Sequence, residues 1–172
     1  AHRLRAQGSA RLTASGHPPI HWRCLPFDAL HARTLYALLR LRTEVFVMEQ
    51  ACAFQDMDGA DLQCMHLLGE RGGGLLAYAR LVPAGLKFPQ ASIGRVVSEP
   101  AARGSGLGHA LMREAVRQVH TLWGPRPIRI GAQAHLQPFY RQHGFEPEGP
   151  LYDEDGIPHI EMLRPPLPQE TT

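Results

Sequence analysis

Apolar residues recur in two rhythms along this chain. Short runs dense in apolar and branched residues, "IHWRCLPF" (20–27), "CMHLLGE" (64–70), "LLAYARLV" (75–82), "ASIGRVVS" (91–98), "PIRIGA" (127–132) and "HIEMLR" (159–164), have the length and composition of strands. Between the first two, Leu35, Leu38, Leu39, Val45 and Phe46 recur at helical spacing, which predicts one or two helices over about 29–48 with Asp28 as their cap. Ala110, Leu111, Ala115, Val116 and Val119 form a second helical stripe within 109–123. Pro138 suits the first turn of a short helix through "FYRQH", and Gly144 its left-handed end. "RGGG" predicts a hairpin between the second and third strands, and 49–63 and 83–90 read as loops. The order strand, helices, three strands, helix, strand, helix, strands is that of mixed α/β layers on one central sheet.

Length and composition narrow the class. A chain of 172 residues, 44% apolar and 20% charged, has room for one sizeable core, and we place a single domain at 19–165. Residues 1–18 carry Arg, Ser, Ala and Gly but no acid and no apolar period. They predict a disordered or expression-derived tail, with an organelle transit peptide as the alternative. The proline-rich end, 166–172, predicts a second tail. The formal charge of +2 is spread along the chain, without the clustered basic face that nucleic acid requires. No apolar run approaches the ~20 residues that span a bilayer, and no signal-peptide pattern is present, so the expectation is a cytoplasmic protein without membrane partners. Three cysteines, Cys24, Cys52 and Cys64, at irregular spacing point to reduced thiols.

The stretch "EPAARGSGLGHALM" (99–112) brings three glycines to the start of a helix. A P-loop needs Lys and then Ser or Thr after its last glycine, but His109 and Ala110 follow Gly108. A dinucleotide fingerprint needs G-x-G-x-x-G, whereas Gly104, Gly106 and Gly108 run G-x-G-x-G. What survives is a glycine turn before a helix N-terminus, with Arg103 beside it. Unpaired N–H groups and the helix dipole attract anions there, although such a turn also serves geometry alone.

Here the chain resembles a known family. Arg103-Gly104-Ser105-Gly106-Leu107-Gly108 is similar to the R/Q-x-x-G-x-G/A pyrophosphate loop of the GNAT superfamily of N-acetyltransferases, and "AQAHLQPFYRQHGFEPEG" to its strand, short helix and "FY…GF" segment. Six ordered blocks, "LRTEVFVMEQ", "DMDGADLQCMHLLG", "LLAYARL", "IGRVVSEPAARGSGLG", "GAQAHLQPFYRQHGF" and "DEDGIPHIEM", resemble the ElaA-like branch. The resemblance implies an α/β (α+β) fold with a mixed, mostly antiparallel central sheet, helices on both faces, and parallel strands 93–98 and 127–132 splayed at a cofactor cleft. It implies acetyl-CoA as acyl donor and an amine of a small molecule or peptide as acceptor, in a monomer or homodimer.

The same resemblance implies site residues. The pyrophosphate would rest on Arg103, Gly104, Ser105, Gly106, Leu107, Gly108 and His109. The backbone of Val96, Val97 and Ser98 would meet the pantetheine amides, with an N–H near Val97 polarising the thioester carbonyl. Tyr140 matches the family tyrosine that protonates the leaving thiolate, although "PFYRQ" could also bury it as an aromatic filler. His135 stands where many relatives have Asn and would contact the cofactor or orient the next turn.

The general base is less defined. Glu44, Glu49, His66 and His159 are candidates by placement, and for each a solvated charge or a structural histidine is the simpler role. The acids Asp56, Asp58, Asp61, Asp153, Glu154 and Asp155 either attract a cationic acceptor or form solvated loop surface. "DMDGAD" departs from an EF-hand, with its glycine at the fourth position and no glutamate at the twelfth, and no other ligand spacing appears, so no metal is expected. Two rival readings stay open: a GNAT-fold module that binds acyl-CoA without catalysis, and an acyltransferase with a longer donor. The latter draws on the likeness of "LRTEVFVMEQ" to acyl-homoserine-lactone synthases, which lack the glycine loop.

Overall fold

A computed structural model describes residues 16–166. The tails expected at 1–18 and 166–172 fall almost wholly outside the described residues. The strands β1 (His21–Pro26), β2 (Met65–Arg71), β3 (Gly74–Val82) and β4 (Ser92–Ser98) pair in sequence order, each antiparallel to the last. The turn between β2 and β3 is made by Gly72 and Gly73 at φ +57° and +80°, the left-handed pair that a two-residue hairpin turn demands. A second sheet holds β5 (Ile128–Gln133), β8 (Ile157–Arg164) and two short strands absent from the sequence reading, β6 (Glu146–Pro147) and β7 (Tyr152–Glu154). At two and three residues, neither is long enough to show an alternating pattern.

Helices cover both faces. α2 (Leu107–Trp123) sets Leu111, Met112, Ala115 and Val119 against Leu67, Ala77, Ala79 and Leu81. α1 (Ala32–Arg42) sets Leu38 and Leu41 against Leu68 and Tyr78 on the opposite face, as strand alternation requires. Asp28 does not cap α1. It lies in a 3₁₀ turn, Phe27–Ala29, and His31 occupies the cap position without a side-chain hydrogen bond. α1 continues as a π-helical segment, Thr43–Glu49, in which Gln50 and Cys52 donate to the carbonyls five residues back, Val45 and Val47, at 3.1 Å each. Val45 of this segment packs in the core, and Phe46 and Glu49 line one cleft.

The sheets meet where β4 and β5 run parallel, and they meet narrowly. Ala91 bridges Ile128, and the Arg129 N–H donates to the Ala91 carbonyl at 3.0 Å. Beyond that point the strands part. β4 also carries a bulge: Tyr78 faces Val97 and Arg80 faces Gly94, so Ala79 alone opposes Arg95 and Val96, and Arg95 takes φ +49°.

Candidate functional site

The gap between β4 and β5 opens into a cleft of about 1130 Å³. Its floor is Val96, Val97 and Ser98 on one side and Ile130, Gly131 and Gln133 on the other. Where β4 ends, Gly104 and Gly106 turn the chain at φ +83° and +78°, and Ser105 ties the loop by donating from Oγ to the Ala102 carbonyl at 2.7 Å. Gly106 is the cap of α2, and the Ala110 N–H is the first amide to find a helical acceptor, the Gly106 carbonyl at 3.1 Å. The N–H groups of Leu107, Gly108 and His109 therefore have no acceptor within the helix and point out of its end.

A family model for an acetyltransferase (GNAT) domain matches residues 47–164, which runs from the end of the π segment through the bulged strand and the glycine loop to the end of β8. The chain belongs to the GNAT acetyltransferase family. Protein ElaA of Escherichia coli is 44% identical over 147 residues, 84% of this chain and 96% of that protein. The GNAT fold here superposes on the crystal structure of E. coli ElaA with a TM-score of 0.79 over 84% of this chain and 99% of that one. An acyl-CoA N-acyltransferase from Pseudomonas aeruginosa, 48% identical, reaches 0.80 over 84% of this chain and 99% of its own.

Within this GNAT domain, Tyr140 projects from α3 (Gln137–Arg141) into the cleft, 8% exposed, between Phe139 and Phe145 at ring-centroid distances of 5.1 and 6.0 Å in edge-on contact. Burial pushes its hydroxyl up to about 12, so the group stays protonated. His135 lines the same cleft from the turn before α3. The His109 side chain points elsewhere: its Nδ1 meets His143 Nε2 at 2.9 Å and its ring packs on Phe139 at 4.8 Å.

The base candidates separate. Glu44 lies off the cleft and accepts from Arg40 Nε at 3.1 Å. Glu49 lines it, but both of its oxygens accept from Arg103, at 2.5 and 3.0 Å, and that guanidinium holds the carboxyl below its ordinary value. His159 lines it too, with Nδ1 2.7 Å from the Ile157 carbonyl and Nε2 3.2 Å from Glu154. His66 is fully buried. Its Nε2–H donates to the Asp61 carbonyl at 2.9 Å, so Nδ1 accepts from the Tyr78 hydroxyl at 2.7 Å. Burial lowers the His66 pKa and keeps the ring neutral.

Two of the three acids of "DMDGAD", Asp56 and Asp61, are buried, and Asp58 is exposed but paired. Asp56 is 5% exposed between Arg42 and Arg95, Asp61 bridges Arg42 and Arg80, and Asp58 grips Arg80 with both oxygens. Burial alone would raise the Asp58 and Asp61 carboxyls, but the arginines more than offset it and hold both below the ordinary range. Local sequence pattern does not pair these acids with their arginines. The available signal was a charge inside each apolar run, Arg80 in "LLAYARLV" and Arg95 in "ASIGRVVS", since an arginine there must be paired. Among the described residues, no cluster of three or more His, Cys, Asp or Glu could hold a metal, and no helix is long and apolar enough to cross a membrane.

Proposed function

We propose that this protein transfers an acetyl group from acetyl-CoA to the amine of a small molecule or peptide, by direct attack of the amine on the thioester. The observation that carries the reading is the single-bridge parting of β4 and β5 at Ala91 and Ile128, with the anion-attracting start of α2 at one end and protonated Tyr140 against the gap. Parted strand edges leave backbone groups of Val96, Val97 and Ser98 available to the amides of a pantetheine arm. Arg103 and the N–H groups of Leu107, Gly108 and His109 offer donors for a pyrophosphate, and the positive φ of Gly104 and Gly106 lets the backbone approach it closely.

In the transfer, the amine nitrogen forms a bond to the acyl carbon as the carbon–sulfur bond breaks. An N–H near Val97 steadies charge on the carbonyl oxygen, and Tyr140 gives its proton to the departing sulfur. The amine must shed a proton. Glu49 and His159 line the cleft and are the groups placed to take it, whereas Glu44 stands outside.

Thermal melting with ligand tests the reading. Acetyl-CoA at a hundred times its Kd should stabilise the fold by roughly 2.7 kcal/mol; no shift at saturation overturns the proposal. Running longer acyl-CoAs in parallel ranks donors, and release of free thiol across a panel of amines and peptides identifies the acceptor.

A further inference from the structure

We propose that Arg95 and Asp56 clamp the β4 bulge in place, and so act as positioning residues that fix where Val96, Val97 and Ser98 stand in the cleft. The catalytic consequence rests on the acetyl-transfer reading above; the clamp itself does not.

A left-handed backbone is costly for any residue with a Cβ and nearly free for glycine. Glycine stands one position earlier, at 94, yet the left-handed residue is Arg95. Its side chain supplies a reason. Arg95 Nε donates to Asp56 Oδ1 at 2.8 Å, Nη2 donates to the Asp56 carbonyl at 3.0 Å, and the guanidinium lies 5.7 Å from the ring centroid of Phe54. Asp56 is itself fixed from behind, because fully buried Arg42 donates to Oδ2 at 2.8 Å and to the same carbonyl at 3.2 Å.

The circuit closes on the strand against which the bulge forms. Arg42 also holds Asp61, Asp61 accepts from Arg80 at 3.0 Å, and Arg80 is the β3 residue that faces Gly94 in register. Pairing on either side of the bulge is fixed by Leu81 with Ile93 and Tyr78 with Val97, both pairs buried. One extra residue must therefore sit between them. The clamp decides that it sits at Arg95, which lines the cleft together with Val96, Val97 and Ser98.

Arg95→Gly is the informative variant, because it permits the left-handed backbone while removing the clamp. Amide hydrogen exchange at 96–98 should quicken about ten-fold or more, with α2 unchanged. Acetyl-transfer turnover should fall roughly ten- to a hundred-fold, as a small misplacement of positioning groups implies, and acetyl-CoA affinity should fall several-fold with it, because the same segment is assigned to the pantetheine amides. Arg95→Lys, a single charge that cannot reach both the carboxylate and the carbonyl in a fork, should restore part of the loss. Wild-type exchange and turnover in Arg95→Gly overturn the clamp. A wild-type protein that neither binds acetyl-CoA nor transfers acetyl instead removes the functional reading, while the exchange result still decides the clamp.

Discussion

Arg103 and Glu49 face each other across the cleft, the guanidinium meeting both carboxylate oxygens at 2.5 and 3.0 Å. The pair joins the glycine loop to the end of the π segment, so the cation assigned to a pyrophosphate already has an anion. On the proposed function, acetyl-CoA and Glu49 compete for Arg103. Glu49→Gln should lower the acetyl-CoA Kd several-fold at low salt, with the gain shrinking as salt is raised, because both side chains are 43% exposed and screened. Arg103→Ala should weaken binding. Calorimetric titration checks both, and equal losses in the two variants would show that Glu49 supports binding rather than competing with it.

The glycine loop separates backbone need from ligand room. Gly106 caps α2 at φ +78°, so Gly106→Ala should cost about 1 kcal/mol or more of stability through strain alone, read as a fall in Tm. Gly108 is in the first helical turn, and a Cβ there would rest in ordinary contact 3.7 Å from Phe139. Gly108→Ala should keep the wild-type Tm. Any loss of acetyl-CoA affinity in it then reports a clash with the ligand and not a folding defect.

Local chemistry made much of this legible. The strand runs, the hairpin glycines and the stripe of α2 are period and turn signals, and each gave its element. The π segment was not legible, because Leu38, Leu41 and Val45 recur three and four residues apart, a spacing that an α-helix satisfies without any i→i+5 turn. The bulge at Arg95 and the pairing of Asp56 with Arg42 depend on contacts between residues 14 to 39 apart in sequence, which no local pattern carries. The tie between Glu49 and Arg103, 54 apart, is hidden for the same reason.

The buried charge network sets an acid limit. Truncating Arg42 removes the fully buried cation between Asp56 and Asp61 and leaves Asp56 to Arg95 and Asp61 to Arg80 alone, so Arg42→Ala should lose about 3–5 kcal/mol in denaturant unfolding. His66 has a folded pKa below its unfolded value near 6.5, so the stability it contributes is full above that pH and declines as pH falls through it; His120 and His143 act in the same direction. Asp58 and Asp61, also depressed, contribute stability above about pH 4 and lose it progressively below. Tm should therefore decline gently from about pH 6.5 and steeply below about 4. A flat Tm down to pH 4 contradicts the burial of neutral His66.

Tyr140→Phe isolates the proton donor. The ring packs edge-on against Phe139 and Phe145, contacts that phenylalanine reproduces, so Tm should change little and acetyl-CoA affinity should hold within about two-fold. Turnover should fall roughly a hundred-fold or more, the range in which a positioned acid acts. Burial sets the pH dependence: with its pKa pushed up to about 12, Tyr140 keeps its proton across the range in which enzymes are assayed, so its ionisation should impose no alkaline fall in kcat below about pH 10. If an alkaline limb appears near pH 8 or 9 and survives in Tyr140→Phe, another group titrates there. If the variant turns over at the wild-type rate, the hydroxyl does no chemistry, and the residue fills the α3 packing between Phe139 and Phe145 as an aromatic side chain alone.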